Sequence, residues 1–216
     1  MNLNQIFLIV QIGLIPSIMS IIKYYNGERF FKLFYIYVII TYLTEVFINR
    51  SINFRCYQVS NIIGNIYTLI ELLLLLALLL KFSNSNKRKQ IIFYTFFASS
   101  WLIENIFIHK IYESERYFNV ISSIIIFIVS IIALTSSLNK NHRSFFKEAE
   151  VIIVITILFN ISFRIVFEFL YYNYEYSQPI IESINRIYII VNFITNILFI
   201  YSLTCIKNTK KLISSF

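Results

Sequence analysis

Charge and backbone punctuation are scarce in this chain of 216 residues, which has 14% charged side chains, three glycines, two prolines, two cysteines and two histidines. So few turn residues exclude a small-stranded β architecture. Two cysteines, Cys56 and Cys205, cannot frame a disulfide scaffold and are expected to be free thiols. Neither His109 nor His142 has a Cys or carboxylate partner at metal-ligand spacing, so a zinc or di-iron centre is excluded. No glycine-rich phosphate loop, serine elbow or nucleotide motif is present, and no catalytic residue, metal or cofactor is assigned. The last apolar segment has no lysine between Pro179 and Cys205, which excludes a retinal Schiff base.

What fills the chain instead is apolar. Hydrophobic residues make up 58%, 38 of the residues are Phe or Tyr, and the mean hydropathy is +0.71. Disorder and a soluble core are both excluded at such values. A hydrocarbon layer of about 30 Å is crossed by about 20 helical residues at about 1.5 Å each. Seven windows of that kind run from Leu3 to Ile22, Leu33 to Ile48, Asn61 to Leu80, Gln90 to Ile108, Phe118 to Leu138, Val151 to Tyr172 and Ile180 to Ile206. The expected fold is therefore all-α, one transmembrane bundle of seven helices over residues 1–216. The first window lacks a preceding basic residue and a cleavage site, so it reads as a helix rather than a signal peptide, kinked at Pro16.

Alternate loops differ in Lys and Arg: thirteen fall in one set and four, Arg50, Arg55, Lys110 and Arg116, in the other. Positive loops stay in the cytoplasm, which predicts an outer N-terminus and a cytoplasmic C-terminus. The bias also accounts for the net charge of +8 through contact with the lipid bilayer, with no nucleic acid expected. Heavy use of Ile, Asn, Lys, Tyr and Phe is what an AT-rich genome encodes, which points to a bacterial inner membrane.

An internal repeat is suggested by FYIYVIITYLTE, FYTFFASSWLIE and ILFNISFRIVFE, which align at shifts of 59 and 64 and end at Glu45, Glu104 and Glu168. One leading helix plus three hairpins would result, with sites expected where repeats meet.

Ionisable groups inside a bilayer cost about 2.5–3.5 kcal/mol each on insertion scales, so they face a bundle interior or a cavity. Glu45, Glu104, Glu168, Glu182, Arg164 and Arg186 fall in the outer half of the predicted spans, and Glu71 about 16 Å in, near the centre. The inner halves, such as LLLLLALLL at 72–80, carry no charge. Polar stripes recur at helical spacing: Asn61, Asn65, Thr68 and Glu71; Asn160, Arg164 and Glu168; Asn119, Ser122 and Ser123; Glu182, Asn185, Arg186 and Asn192. Arg164 and Arg186 are expected at one depth, either neutralising Glu168 and Glu182 or gripping an anion. Five carboxylates against two guanidiniums leave an excess negative charge for protons or a cation to cover. Glu71, beside the leucine run, is the position where ionisation is least favoured.

The pattern predicts a polar cavity open outward over a sealed inner half. The leading functional expectation is a non-enzymatic module that binds a small polar or charged ligand and signals to a cytoplasmic or membrane protein partner. The candidate ligand or ion-pathway residues are Glu45, Asn65, Glu71, Glu104, Arg164, Glu168, Glu182 and Arg186. The alternatives are a small-solute or ion transporter or channel, an accessory membrane regulator or effector, for example of a defence system, and an enzyme acting on outer-leaflet lipid.

Overall fold

A computed structural model describes residues 3–83, 85–108, 110–113, 117–140, 148–173 and 178–206. Among the described residues seven α-helices make up the fold: α1 (Leu3–Asn26), α2 (Lys32–Asn53), α3 (Tyr57–Phe82), α4 (Lys87–Ile103), α5 (Tyr117–Lys140), α6 (Ala149–Asn173) and α7 (Gln178–Cys205). A 3₁₀ turn at Arg29–Phe31 leads into α2, and a π-helical segment, Glu104–Ile108, prolongs α4. Among the described residues six helices, α2 to α7, are long and apolar enough to cross a membrane. Such segments are helical because in lipid every backbone N–H and C=O must be satisfied within its own segment. Hydroxyls along them follow the same rule, as Thr41, Thr68, Thr156 and Ser162 each donate to the carbonyl four residues back.

Several helices run past the predicted limits. α2 continues to Asn53 and α3 begins at Tyr57, joined by a turn in which Arg55 takes the left-handed conformation at φ 59°. α1 stays helical through Pro16, and the Ser17 hydroxyl donates to the Gly13 carbonyl at 2.9 Å.

Six helices close a ring in the order α1, α2, α3, α5, α6, α7, with α7 packed back on α1. α4 stands outside, against α3, with Phe97 and Trp101 buried and Ile92, Phe96 and Phe107 exposed. The three hairpins are thus not equivalent in space. α2 and α6 are walls of the ring while α4 is an outrigger, although all three share the aligned sequence pattern.

The end of the ring at which Lys23, Lys32, Lys81 and Lys87 stand is closed. Leu72, Leu75, Leu76, Leu79, Ile153, Ile157 and Leu203 are buried there, and the Phe34 and Phe199 rings meet at 5.4 Å. Helices gain little from hydrophobic transfer inside lipid, so close packing of this kind is what holds the ring. At the same end Lys23 Nζ donates to the Ile206 carbonyl, tying α1 to the end of α7. Lys81 Nζ donates to the Phe30 carbonyl at 2.7 Å and lies over its ring.

Candidate ligand-binding cavity

The ring encloses a cavity of about 500 Å³ between the apolar plug and the end remote from the basic loops. On α2, a stripe at helical spacing, Tyr37, Thr41, Thr44, Glu45 and Ile48, faces it. α6 contributes Asn160, Phe163, Arg164, Phe167 and Glu168, and α7 contributes Ile184, Tyr188, Val191, Asn192, Thr195, Asn196 and Phe199. Tyr67 and Glu71 reach in from α3, and Gly13 of α1 completes the lining.

Arg164 organises one wall. Its Nη1 donates to Glu71 Oε2 at 2.6 Å and its Nε to Glu168 Oε1 at 2.9 Å. Ser123 of α5 donates to the other oxygen of Glu168 at 3.3 Å. The side chains of Arg164, Glu71 and Glu168 are 24%, 8% and 12% exposed, so this is a largely desolvated triad spanning α3 and α6. Charge-assisted bonds of this length are the strong class, and the guanidinium fork suits two carboxylates at once.

The rest of the lining is less tightly bound. Asn192 Nδ2 donates to Glu45 Oε1 at 3.4 Å, and Asn196 Nδ2 donates to Asn192 Oδ1 at 3.1 Å. Asn160 Nδ2 donates to Thr195 Oγ1 at 3.3 Å, and the Tyr67 hydroxyl to Thr41 Oγ1 at 3.0 Å. Among the described residues no cation pairs with Glu45.

Of the residues singled out from sequence, Glu45, Glu71, Arg164 and Glu168 come together at this cavity. The others go elsewhere. Arg186 is exposed and is not a lining residue, so the expected pairing of Arg164 and Arg186 at one level does not form. Helical phase is the reason, since Arg186 lies two residues, about 200°, from Ile184 and from Tyr188, both of which face the cavity. The side chain of Glu182 lies outside the described residues, as do His109 and His142.

Glu104 is buried at the π-helical end of α4, where its oxygens accept from the backbone N–H groups of Tyr117 at 3.1 Å and Phe118 at 2.6 Å. It caps α5 and does not face the cavity. Asn65, with Asn61, fastens the loop beyond α4: Asn65 Nδ2 donates to the carbonyls of Ile111 and Glu113, and Asn61 Nδ2 to that of Tyr112. Trp101 returns a bond to the Asn65 carbonyl at 3.0 Å. Glu71 meets a cation of the protein's own, because Arg164 crosses from α6 to reach it.

Sequence reasoning missed the aromatic lining, Tyr37, Tyr42, Tyr67, Phe163, Phe167, Tyr188 and Phe199, and the polar pair Thr195 and Asn196. Thr195 and Asn196 stand three and four residues after Asn192, a spacing that was available to find them. The aromatics could not be told from lipid-facing ones in a chain where such residues occur on every face. Among the described residues no group of three or more His, Cys, Asp or Glu is placed to hold a metal ion.

No family model, curated protein or solved structure matches the chain. Its class therefore rests on its own residues and geometry: a multi-pass, all-helical membrane bundle with a partly polar cavity in a six-helix ring.

Proposed function

We propose that this chain is a seven-span protein of the bacterial inner membrane, with an outer N-terminus and a cytoplasmic C-terminus. On this reading it is a non-enzymatic module that takes a small polar or charged ligand into its cavity from outside and passes occupancy to a cytoplasmic or membrane protein partner. The observation that carries the reading is the asymmetry of the ring. A cavity of about 500 Å³, within the range of small-molecule sites, holds three carboxylates and a guanidinium, while the half on the basic side is packed with leucine, isoleucine and phenylalanine. A ligand can be held there above a half whose buried polar side chains, Ser17, Ser20, Ser130, Ser137, Thr156 and Ser202, are uncharged. Position along α2 supports entry from the side remote from the basic loops, because Thr44 and Ile48 lie on the stretch of that helix leading to Asn53.

A test uses Thr44→Cys in a Cys56→Ser, Cys205→Ser background, probed with a charged, impermeant maleimide. Labelling from outside in intact cells, together with no ion or amine flux in proteoliposomes, is the expected result. Measurable flux would favour the transporter reading, in which the plug opens in a second conformation.

A further inference from the structure

We propose that the occupant of this cavity is a monovalent organic cation, a protonated or quaternary amine with an apolar body, whose charge sits against Glu45. The inference rests on reading the cavity as a binding site and adds the chemical class of what binds.

Charge within the cavity is the first argument. Its described lining holds the carboxyl groups of Glu45, Glu71 and Glu168 and one guanidinium, that of Arg164. Arg164 is committed to Glu71 and Glu168 through two separate nitrogens, and Ser123 serves the remaining oxygen of Glu168. Two carboxylates share that one guanidinium, so the set has no positive charge to spare for a third. Glu45 is left over, with one long amide contact at Oε1, from Asn192 at 3.4 Å, and no hydrogen bond at Oε2 among the described residues. Glu45 is half-buried, and a carboxylate within a membrane span that has no cation beside it is a costly state, which a cationic ligand relieves. An anion would enter a site already in negative excess.

Space and wall chemistry are the second argument. The cavity of about 500 Å³ has room for such a body, and at Gly13, where a methyl group would lie 3.4 Å from Glu45 Oε2 and 3.2 Å from the Tyr42 ring, those two side chains pack directly against α1. Hard metal ions need about six oxygen ligands at about 2.0–2.6 Å. Asn192 is the side chain that bonds Glu45, Tyr42 packs beside it at Gly13, and the lining of the same cavity includes the edge-to-face pair of Phe167 and Tyr188, 5.8 Å apart. Aromatic faces attract desolvated ammonium groups and accept an apolar body, which metal ions and inorganic anions lack.

The experiment is calorimetric titration of the full-length protein in nanodiscs, corrected against empty nanodiscs, with three probes that share a phenyl ring: phenyltrimethylammonium, neutral tert-butylbenzene and anionic benzenesulfonate. The wild type should bind the ammonium probe and neither of the others. Glu45→Asp should retain binding, and Glu45→Gln should weaken it at least tenfold while eluting and melting as a folded protein. Should Glu45→Gln not fold, Gly13→Val places carbon beside the same carboxylate and should produce the same loss. Equal or tighter binding of the neutral or anionic probe, or undiminished ammonium binding by a folded Glu45→Gln, overturns the cation assignment and leaves the cavity as a site for another class. If the wild type binds none of the three, the cavity reading falls with it.

Discussion

Arg164 is the residue on which two helices agree. Glu71 and Glu168 sit on α3 and α6, and one guanidinium lets both be buried. Removing the partner of a buried charge costs about 3–5 kcal/mol, whereas removing a whole set is far cheaper. Arg164→Met is therefore expected to destabilise the purified protein by about that amount in thermal or denaturant unfolding, and Glu168→Gln by less, since Glu71 still faces the cation. The triple change Arg164→Met, Glu71→Gln, Glu168→Gln should recover part of the loss. A loss equal to the sum of the single changes would mean that the three side chains do not act as a set. Another residue-scale expectation concerns Tyr35, whose hydroxyl is buried with no hydrogen-bond partner among the described residues. Tyr35→Phe should leave the melting temperature unchanged or raise it, because a buried, unsatisfied hydroxyl gives nothing back for its desolvation. Gly27→Ala should lower it, as a Cβ there would lie 2.5 Å from the same hydroxyl and 2.6 Å from the Lys23 carbonyl.

Among the elements, α4 differs from its aligned counterparts. It turns one face, with Phe97 and Trp101, to α3 and ends in a π-helical segment that carries Glu104 to the start of α5. The first N–H groups of a helix have no partner within it, and a carboxylate there answers both their hydrogen bonding and the positive end of the helix dipole. Glu104→Ala is expected to cost about 1–2 kcal/mol, in the range of a lost helix cap. Hydrogen exchange should quicken at the Tyr117 and Phe118 amides while the amides of α6 keep their protection. Uniform exchange across α5 and α6 would mean that Glu104 is holding the whole bundle rather than one helix end. Equivalent glutamates in the alignment thus serve different elements: Glu45 and Glu168 face a cavity, and Glu104 faces a helix terminus.

For the whole molecule, the loop charges and the closed end of the ring bear on one orientation. Cys56 lies in the exposed turn between α2 and α3, and Cys205 ends α7 near the carbonyl that Lys23 holds. An impermeant thiol reagent added to intact cells should modify Cys56 and spare Cys205, and permeabilisation should then admit it to Cys205. Labelling of Cys205 alone in intact cells would invert the topology and turn the mouth of the cavity towards the cytoplasm.

What the sequence determined by itself is whatever depends on segment length and on charge along the chain. Runs of about 20 apolar residues must be helices in lipid, and their helical state and uncharged basic-side halves follow from reading residues in order. The stripe of Asn160, Arg164 and Glu168 was legible too, because positions four apart share a face whatever stands opposite. Tertiary structure decided which faces meet. Depth can be counted from a helix end, and it placed Arg164 and Arg186 at one level; rotation about the helix axis cannot be counted, and it exposes Arg186 while Arg164 reaches Glu71 on α3. The same holds for Asn65 and Glu71, which share a polar stripe on α3, yet one holds a loop and the other an arginine. Helix order around the ring set these partners, and it set α4 outside. Packing between helices in lipid depends on shape and a few buried polar contacts, both of which exist only once the helices have been brought together.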